Sequence, residues 1–295
     1  MAKQIVEKGL SVVLSDPRRM AGRSLILAYH NVVPDDLHGL GDRSLHLPLS
    51  AFVRQVDLIQ AYGEVRSMVD LLDVRPDRAP PRIAITFDDA YRGAIELALP
   101  ELDRRGLPST VFVAPGLVGC RSFWWDEMAF PGTGLPNSVR KDALEDYGGK
   151  HEVIRGRMSA SPAAADLPAC YGCAGENQLF ALSRLRYVTL GAHSWNHPNL
   201  ARLNAAELAL ELSRPLDWLK TTPVAWLPIL AYPYGIVSPT VAMAVERAGY
   251  KAALLVAGGW FAPPVEDRWA IPRYNVPAGL TDDGLRLRLS GFLIP

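Results

Sequence analysis

Six short apolar runs, each closed by polar residues or by Gly and Pro, constrain the fold of this 295-residue chain more than any other feature. They are Ser24–Tyr29, Arg82–Phe87, Ser109–Ala114, Tyr187–Ala192, Ile229–Tyr232 and Ala252–Val256. Runs of this length, rich in β-branched residues, read as strands buried on both faces. Helical patterns lie between them. Leu49–Tyr62 is amphipathic, and Tyr91–Arg105 follows the second run. Asn204 with Glu207 spells a capping box ahead of Leu208–Lys220, and Ser238-Pro239 opens Thr240–Ala248, which stops at Gly249. Alternating strands and helices predict an α/β fold with parallel strands, a distorted (β/α) barrel forming one domain over residues 1–295. Residues 120–177, rich in Gly, Pro, Ala and Ser, break the rhythm and predict an irregular insertion over one end of the barrel, anchored at Phe123–Asp126.

Composition narrows the function classes. Lys plus Arg and Asp plus Glu are both 31, so no basic excess points to nucleic acid. No run of 18 apolar residues predicts a transmembrane segment. The N-terminus lacks an apolar signal core, which sets a cytoplasmic expectation. Cys120, Cys170 and Cys173 are an odd number and form no disulfide framework; the Cys170–Cys173 spacing, without a second pair, is a loop coincidence. Oligomeric state leaves no mark in the sequence.

The chemistry-bearing residues sit at carboxyl ends of the apolar runs, where the active sites of α/β folds gather. Asp88 and Asp89 follow Ile83–Phe87. Adjacent carboxylates raise one another's pKa unless a cation stabilises both, and a metal ion is the simple remedy. Helix capping by one of them is the competing account. His193 and His197 lie four apart after Val188–Ala192, a spacing that on a helical turn lets both rings meet one cation. No Glu follows the first His, so this is not the zinc-protease helix. Two histidines and a carboxylate leave coordination positions open, as a catalytic metal requires. Pro233-Tyr234-Gly235 ends a further run in a rigid turn whose backbone N–H faces a ligand or simply completes the turn.

In combination and in this order, these segments resemble the polysaccharide deacetylase family, also called the NodB-homology or carbohydrate esterase 4 group. Thr86-Phe-Asp88-Asp89-Ala-Tyr91 is similar to that family's first motif, His193-Ser-Trp-Asn-His197 to its metal motif, and Tyr232-Pro-Tyr-Gly235 to its third motif. Ile26-Leu-Ala-Tyr29-His30 resembles its early Tyr-His strand. The resemblance runs from about Leu25 to Tyr274 and leaves 120–177 poorly matched. It implies a barrel of the NodB type and hydrolysis of an N-acetyl group from an amino sugar in a glycan or glycan precursor. Asp89, His193 and His197 would hold a divalent metal, Zn²⁺ foremost, with Co²⁺, Ni²⁺ and Fe²⁺ compatible with the same ligands. Asp88 would be the general base, and the Tyr234 backbone would add an oxyanion donor.

Departures from the family pattern shift several roles. No histidine follows His197, so the late Leu-x-His motif that supplies the acid is missing, and His30 is the substitute candidate. The third motif lacks its leading Arg, for which Arg273 is the candidate. The fourth motif survives as Asp267-Arg-Trp269, and Trp260 or Trp269 would line the acetyl pocket, with Trp125 stacking on a sugar ring; aromatic core packing accounts equally for each. Two other functions fit the same residues: removal of formyl, O-acetyl or small amide groups, and a catalytically silent sugar-binding protein.

Overall fold

The computed structural model describes residues 16–37, 39–73 and 78–292. All six apolar runs form strands within one parallel sheet, with bounds that differ by a few residues from the expectation. The strands are β1 (Ser24–Tyr29), β2 (Asn31–Val33), β3 (His46–Pro48), β4 (Glu64–Val65), β5 (Arg82–Phe87), β6 (Ser109–Val113), β7 (Val188–Ala192), β8 (Trp226–Ala231), β9 (Ala252–Leu254) and β10 (Tyr274–Asn275). The main sheet runs β10-β1-β5-β6-β7-β8-β9, with β4 added beside β5, while β2 and β3 pair separately. Strands β1, β5 and β6 are buried along their whole length, which is why their sequences show no alternation.

The sheet curls until its two edges share one short stave. Ile271 bridges Leu254 of β9 in parallel, and three residues later Tyr274 and Asn275 pair with Leu27 and Ala28 of β1. The barrel therefore closes through residues 271–275, a segment with almost no strand signature. Arg273 lies in its middle, fully buried.

The helices on the outside follow local sequence signals. Leu49–Tyr62 buries Phe52, Val56 and Ile59, the 3.6-period stripe of its sequence. Helix Ala205–Thr221 opens on a complete capping box, with Asn204 and Glu207 side chains each accepting from the other's backbone N–H. Helix Pro239–Arg247 starts at the Ser238 cap. The insertion is less irregular than expected: it contains helices Trp124–Glu127, Asn137–Glu145, His151–Arg157 and Glu176–Ala181. Trp124 within it is fully buried, so the aromatic anchor is real.

Gly191 marks a close approach between strands and the buried Phe112. The β7–β8 register shifts between Leu190 and Ala192, and a Cβ at 191 would lie 2.5 Å from the buried Phe112 ring. Gly191→Ala should therefore lower the unfolding free energy by about 1–3 kcal/mol through overpacking. Urea titration with an unchanged m value checks this; a wild-type midpoint would mean that Phe112 moves aside freely.

Candidate metal centre

The centre forms where β1, β5, β7 and β8 end. Asp88 and Asp89 follow β5, His193 follows β7, and Tyr234 follows β8. These residues line one cleft of about 250 Å³ together with His30, Trp125, His197, Tyr232, Arg140 and Asn275.

His193 and His197 do converge, but not on a helical turn. Residues 194–198 form a tight bend in which Ser194 and His197 adopt left-handed backbone, φ 60° and 57°. The two rings therefore do not share the helical face that their spacing predicted. Convergence comes from a strained loop, held because the Glu211 carboxylate accepts from Trp195 N–H at 2.9 Å, Asn196 N–H at 2.8 Å and the Asn196 side-chain amide at 2.9 Å. Ser194 Oγ accepts from His197 N–H at 3.0 Å and closes the bend. Sequence reading missed Glu211, which looks like an ordinary helix residue.

The ligand geometry fits a cation. Nε2 of His193 and Nε2 of His197 are 3.1 Å apart, and Asp89 Oδ1 is 3.2 Å from His197 Nε2 and 3.6 Å from His193 Nε2. A tetrahedral Zn²⁺ with ligands at 2.0–2.1 Å requires edges of about 3.4 Å. The His193 Nδ1–H donates to Ala231 O at 2.7 Å, so its Nε2 lone pair points into the triangle. Asp89 Oδ1 is buried without a hydrogen-bond partner, an arrangement that is costly unless a cation meets it.

Electrostatics divides the two carboxylates. Burial would raise the Asp88 pKa, but Arg273 and His193 outweigh it and hold the carboxyl well below the usual range. Arg273 reaches it with a two-pronged fork, Nη1 to Oδ1 and Nη2 to Oδ2, both at 2.7 Å. Asp89 has no such partner: burial, then the charges of Asp88 and Asp126, push it well above the usual range. Burial pushes His193 down, and burial together with His193 pushes His197 far down, so both rings are neutral and ready to coordinate.

Of the other expected site residues, His30 lines the cleft with its Nδ1 unpartnered, and burial lowers its pKa to about 4. Tyr234 also lines the cleft on a left-handed turn, φ 59°, with its ring against His197 and its hydroxyl donating to Gly149 O. Trp125 lies against the same histidine, ring centroids 5.1 Å apart. Trp260 is elsewhere. Its indole donates to Arg288 O and its ring packs on Tyr62, beside the start of β1 at the opposite end of the barrel. Trp269 is also outside the cleft; its carbonyl accepts from Tyr232 and its N–H is bound by Asp267. Neither lines the cleft at the candidate centre; both are held by packing and hydrogen bonds elsewhere, which a motif cannot reveal.

Asp126, inside helix Trp124–Glu127, is the centre of a buried network. It accepts from Asp42 N–H, the His46 ring and the Tyr91 hydroxyl, and Tyr91 in turn accepts from the Trp125 indole at 2.6 Å. This buried network, partly formed by β3 and the insertion, fixes Trp125 over the centre. Arg140, bound to Asp42, adds a cation to the cleft rim that the sequence did not single out.

Comparison with known proteins was consistent with this geometry. Residues 75–253 match a family described as polysaccharide deacetylase. No curated protein matches the sequence. Among solved structures, the chain is similar to a Bacillus anthracis protein described as a polysaccharide deacetylase, with TM-score 0.63, 15% identity and coverage of 91% of this chain and 69% of that one. It is similar to the Streptococcus pyogenes deacetylase PplD, solved with acetate, at TM-score 0.62, 15% identity and coverage of 91% and 99%. IcaB from Ammonifex degensii gives TM-score 0.59, 17% identity and coverage of 92% and 97%. At these identities the likeness establishes the fold.

The raised Asp89 pKa predicts how metal uptake depends on pH. Below that pKa the metal-free carboxyl is protonated, so binding releases its proton, while the neutral histidines release none. Affinity for Zn²⁺ should rise with pH until Asp89 ionises unaided. Calorimetry in buffers of differing ionisation heat measures the proton count; zero release at every pH would mean that Asp89 is already a carboxylate without metal.

Proposed function

Because this chain belongs to the polysaccharide deacetylase family, we propose that it hydrolyses the N-acetyl group of an amino sugar in a glycan or glycan precursor, using a divalent metal held by Asp89, His193 and His197. The observation that carries this reading is the pairing of a metal-sized ligand triangle with a second carboxylate kept ionised beside it. Asp88 Oδ2 is 3.9 Å from His193 Nε2, within reach of a water at the triangle. A pure binding site has no use for a base there.

Zn²⁺, which readily accepts two imidazoles and a carboxylate, would polarise the acyl carbonyl and bring a bound water's pKa to about 7. Asp88 accepts the proton of the attacking water. Arg273 aims that carboxylate and keeps it unprotonated while waiting for substrate. As Asp88 takes the proton its pairing with Arg273 weakens, which favours passing the proton on. His30, neutral at pH 7 by its lowered pKa, presents an unpartnered nitrogen across the cleft. It passes the proton that Asp88 took from the water to the leaving nitrogen, so the sugar departs as a neutral amine, and the acetic acid left behind gives its remaining proton to Asp88 and from there to solvent, leaving acetate. The Tyr234 backbone N–H supports the developing oxyanion. Trp125 and Tyr234 wall the cleft and exclude water from the reacting carbonyl.

Acetate release from free, nucleotide-linked and oligomeric N-acetyl sugars, with chelator and then with added Zn²⁺, tests the reaction class. Chelator-sensitive release restored by Zn²⁺ is expected; release indifferent to chelator removes the metal from the reading. A second measurement separates the roles. Asp88→Asn should keep its metal and lose about 10²–10⁴-fold in kcat, and His30→Gln should fall by about 10²-fold. Full activity in metal-loaded Asp88→Asn would remove Asp88 as the base.

A further inference from the structure

A groove of about 440 Å³ adjoins the metal cleft, and the two share Arg140 and Leu144 in their walls. One wall is a single face of helix Asn137–Glu145. Residues 137, 140, 141, 144 and 145 line the groove, in the three- and four-residue steps that align side chains on one side of a helix. The other wall is the turn Leu200–Arg202, which follows the histidine bend, together with Ile236, two residues after Tyr234. Asn199 ties the walls together. Its N–H donates to Gly148 O at 2.8 Å and its side-chain amide to Leu144 O at 3.2 Å. The groove is therefore held in place by the same two turns that carry His197 and Tyr234.

Its charge is unbalanced. Three cations line it, Arg140 and Lys141 from the helix and Arg202 from the turn, against one carboxylate, Glu145. Arg140 is ion-paired to Asp42. Lys141 and Arg202 are exposed, and among the described residues neither meets an acidic partner. Exposed cations elsewhere, such as Arg66, Arg104 and Lys220, pair with a carboxylate two or three residues away. Asp42 and Glu145 set against the three cations leave the groove positive. The chain as a whole has no excess of either sign, so this is a local feature and not a general attraction for anions.

Lys141 and Arg202 stand on opposite walls, which suits a group whose oxygens point several ways. A phosphoryl group has that tetrahedral arrangement, whereas the two oxygens of a carboxylate lie in one plane and suit a single fork. The groove begins at Arg140 on the wall of the metal cleft, so an anion bound there lies beside a sugar whose acetamide meets the centre. We propose that this groove binds a phosphoryl group carried by the substrate, and that the protein acts on a phosphate-linked amino sugar, a glycan precursor, in preference to a neutral polymer. The proposal rests on the deacetylase reading above and names the class of substrate for it.

The test compares N-acetylglucosamine with its 1-phosphate on the metal-loaded protein, with binding measured by calorimetry. Zn²⁺ itself attracts phosphate, so the deciding quantity is the change caused by substitutions at exposed positions in the groove. Lys141→Ala combined with Arg202→Ala should weaken binding of the 1-phosphate about tenfold, and Glu145→Gln should strengthen it. Added salt should lower the wild-type affinity more steeply than that of the double variant. An affinity for the 1-phosphate that the double substitution leaves intact overturns the proposal, and so does wild-type binding no tighter than that of the free sugar. UDP-linked and farnesyl diphosphate-linked N-acetylglucosamine then separate the sources of the phosphoryl group. The one whose affinity the double substitution lowers more identifies a nucleotide or a lipid carrier. Absence of acetate release from all of these sugars would count against the deacetylase reading instead, and the calorimetric comparison alone would then decide the groove.

Discussion

The ion pair between Arg273 and Asp88 is the interaction on which the rest of the structure depends. Both side chains are buried, the arginine completely. Charges removed from water are costly unless geometry and additional hydrogen bonds compensate. Here they do. The fork occupies both carboxylate oxygens, Nε donates to Leu255 O at 2.6 Å, and Nη1 also reaches Thr86 Oγ1. Those partners lie after β9, within β5 and at its end, while Arg273 itself belongs to the stave that joins β9 to β1. Closing the barrel and delivering a cation to the carboxylate pair are therefore one event. Loss of the arginine would leave a buried uncompensated charge at the seam, a defect worth about 3–5 kcal/mol.

Backbone strain is concentrated at the same end. Among the described residues, the non-glycine positions with positive φ are Asp89, Ala90, Ser194, His197 and Tyr234. Each belongs to one of the three turns that carry the centre. Left-handed backbone costs a non-glycine residue about 1–2 kcal/mol, so it persists where surroundings over-determine it. Glu211 does this for the histidine bend, supplying both carboxylate oxygens to three donors. These strained turns carry Asp89 Oδ1 to 3.2 Å from His197 Nε2.

Much of this was legible in the sequence, for reasons that are local. Strand runs, the Asn204–Glu207 box and the Ser238 cap are encoded within a few residues, and each formed where the pattern placed it. The motif residues Asp88, Asp89, His193 and His197 line one cleft, and Arg273, the candidate for the arginine that the third motif lacks, forks onto Asp88. What escaped is non-local or conformational. The bend at 194–198 has helical spacing but left-handed backbone, which spacing alone cannot express. Trp260 and Trp269 look like pocket aromatics, yet only the path of residues 256–272 decides which end of the barrel they reach. Asp126 and His46 are 80 positions apart and meet only because the insertion folds back over β3.

The two adjacent aspartates show how one fold makes two chemistries from one residue type. Of the two aspartates, only Asp88 is hydrogen-bonded by the Arg273 guanidinium. That residue is held ionised, whereas Asp89, facing the charge of Asp88 and of Asp126 in a dry setting, is driven toward its neutral form. The site is one positive charge short of balance at the atom that lacks a partner. Imidazoles kept neutral by burial cannot supply that charge, but they can share a cation that does. A divalent ion would reverse the pressure on Asp89 and leave Asp88 free to move protons. The asymmetry set by Arg273 therefore leaves one carboxylate ionised and the other in need of a cation, a difference that two equivalent carboxylates would lack.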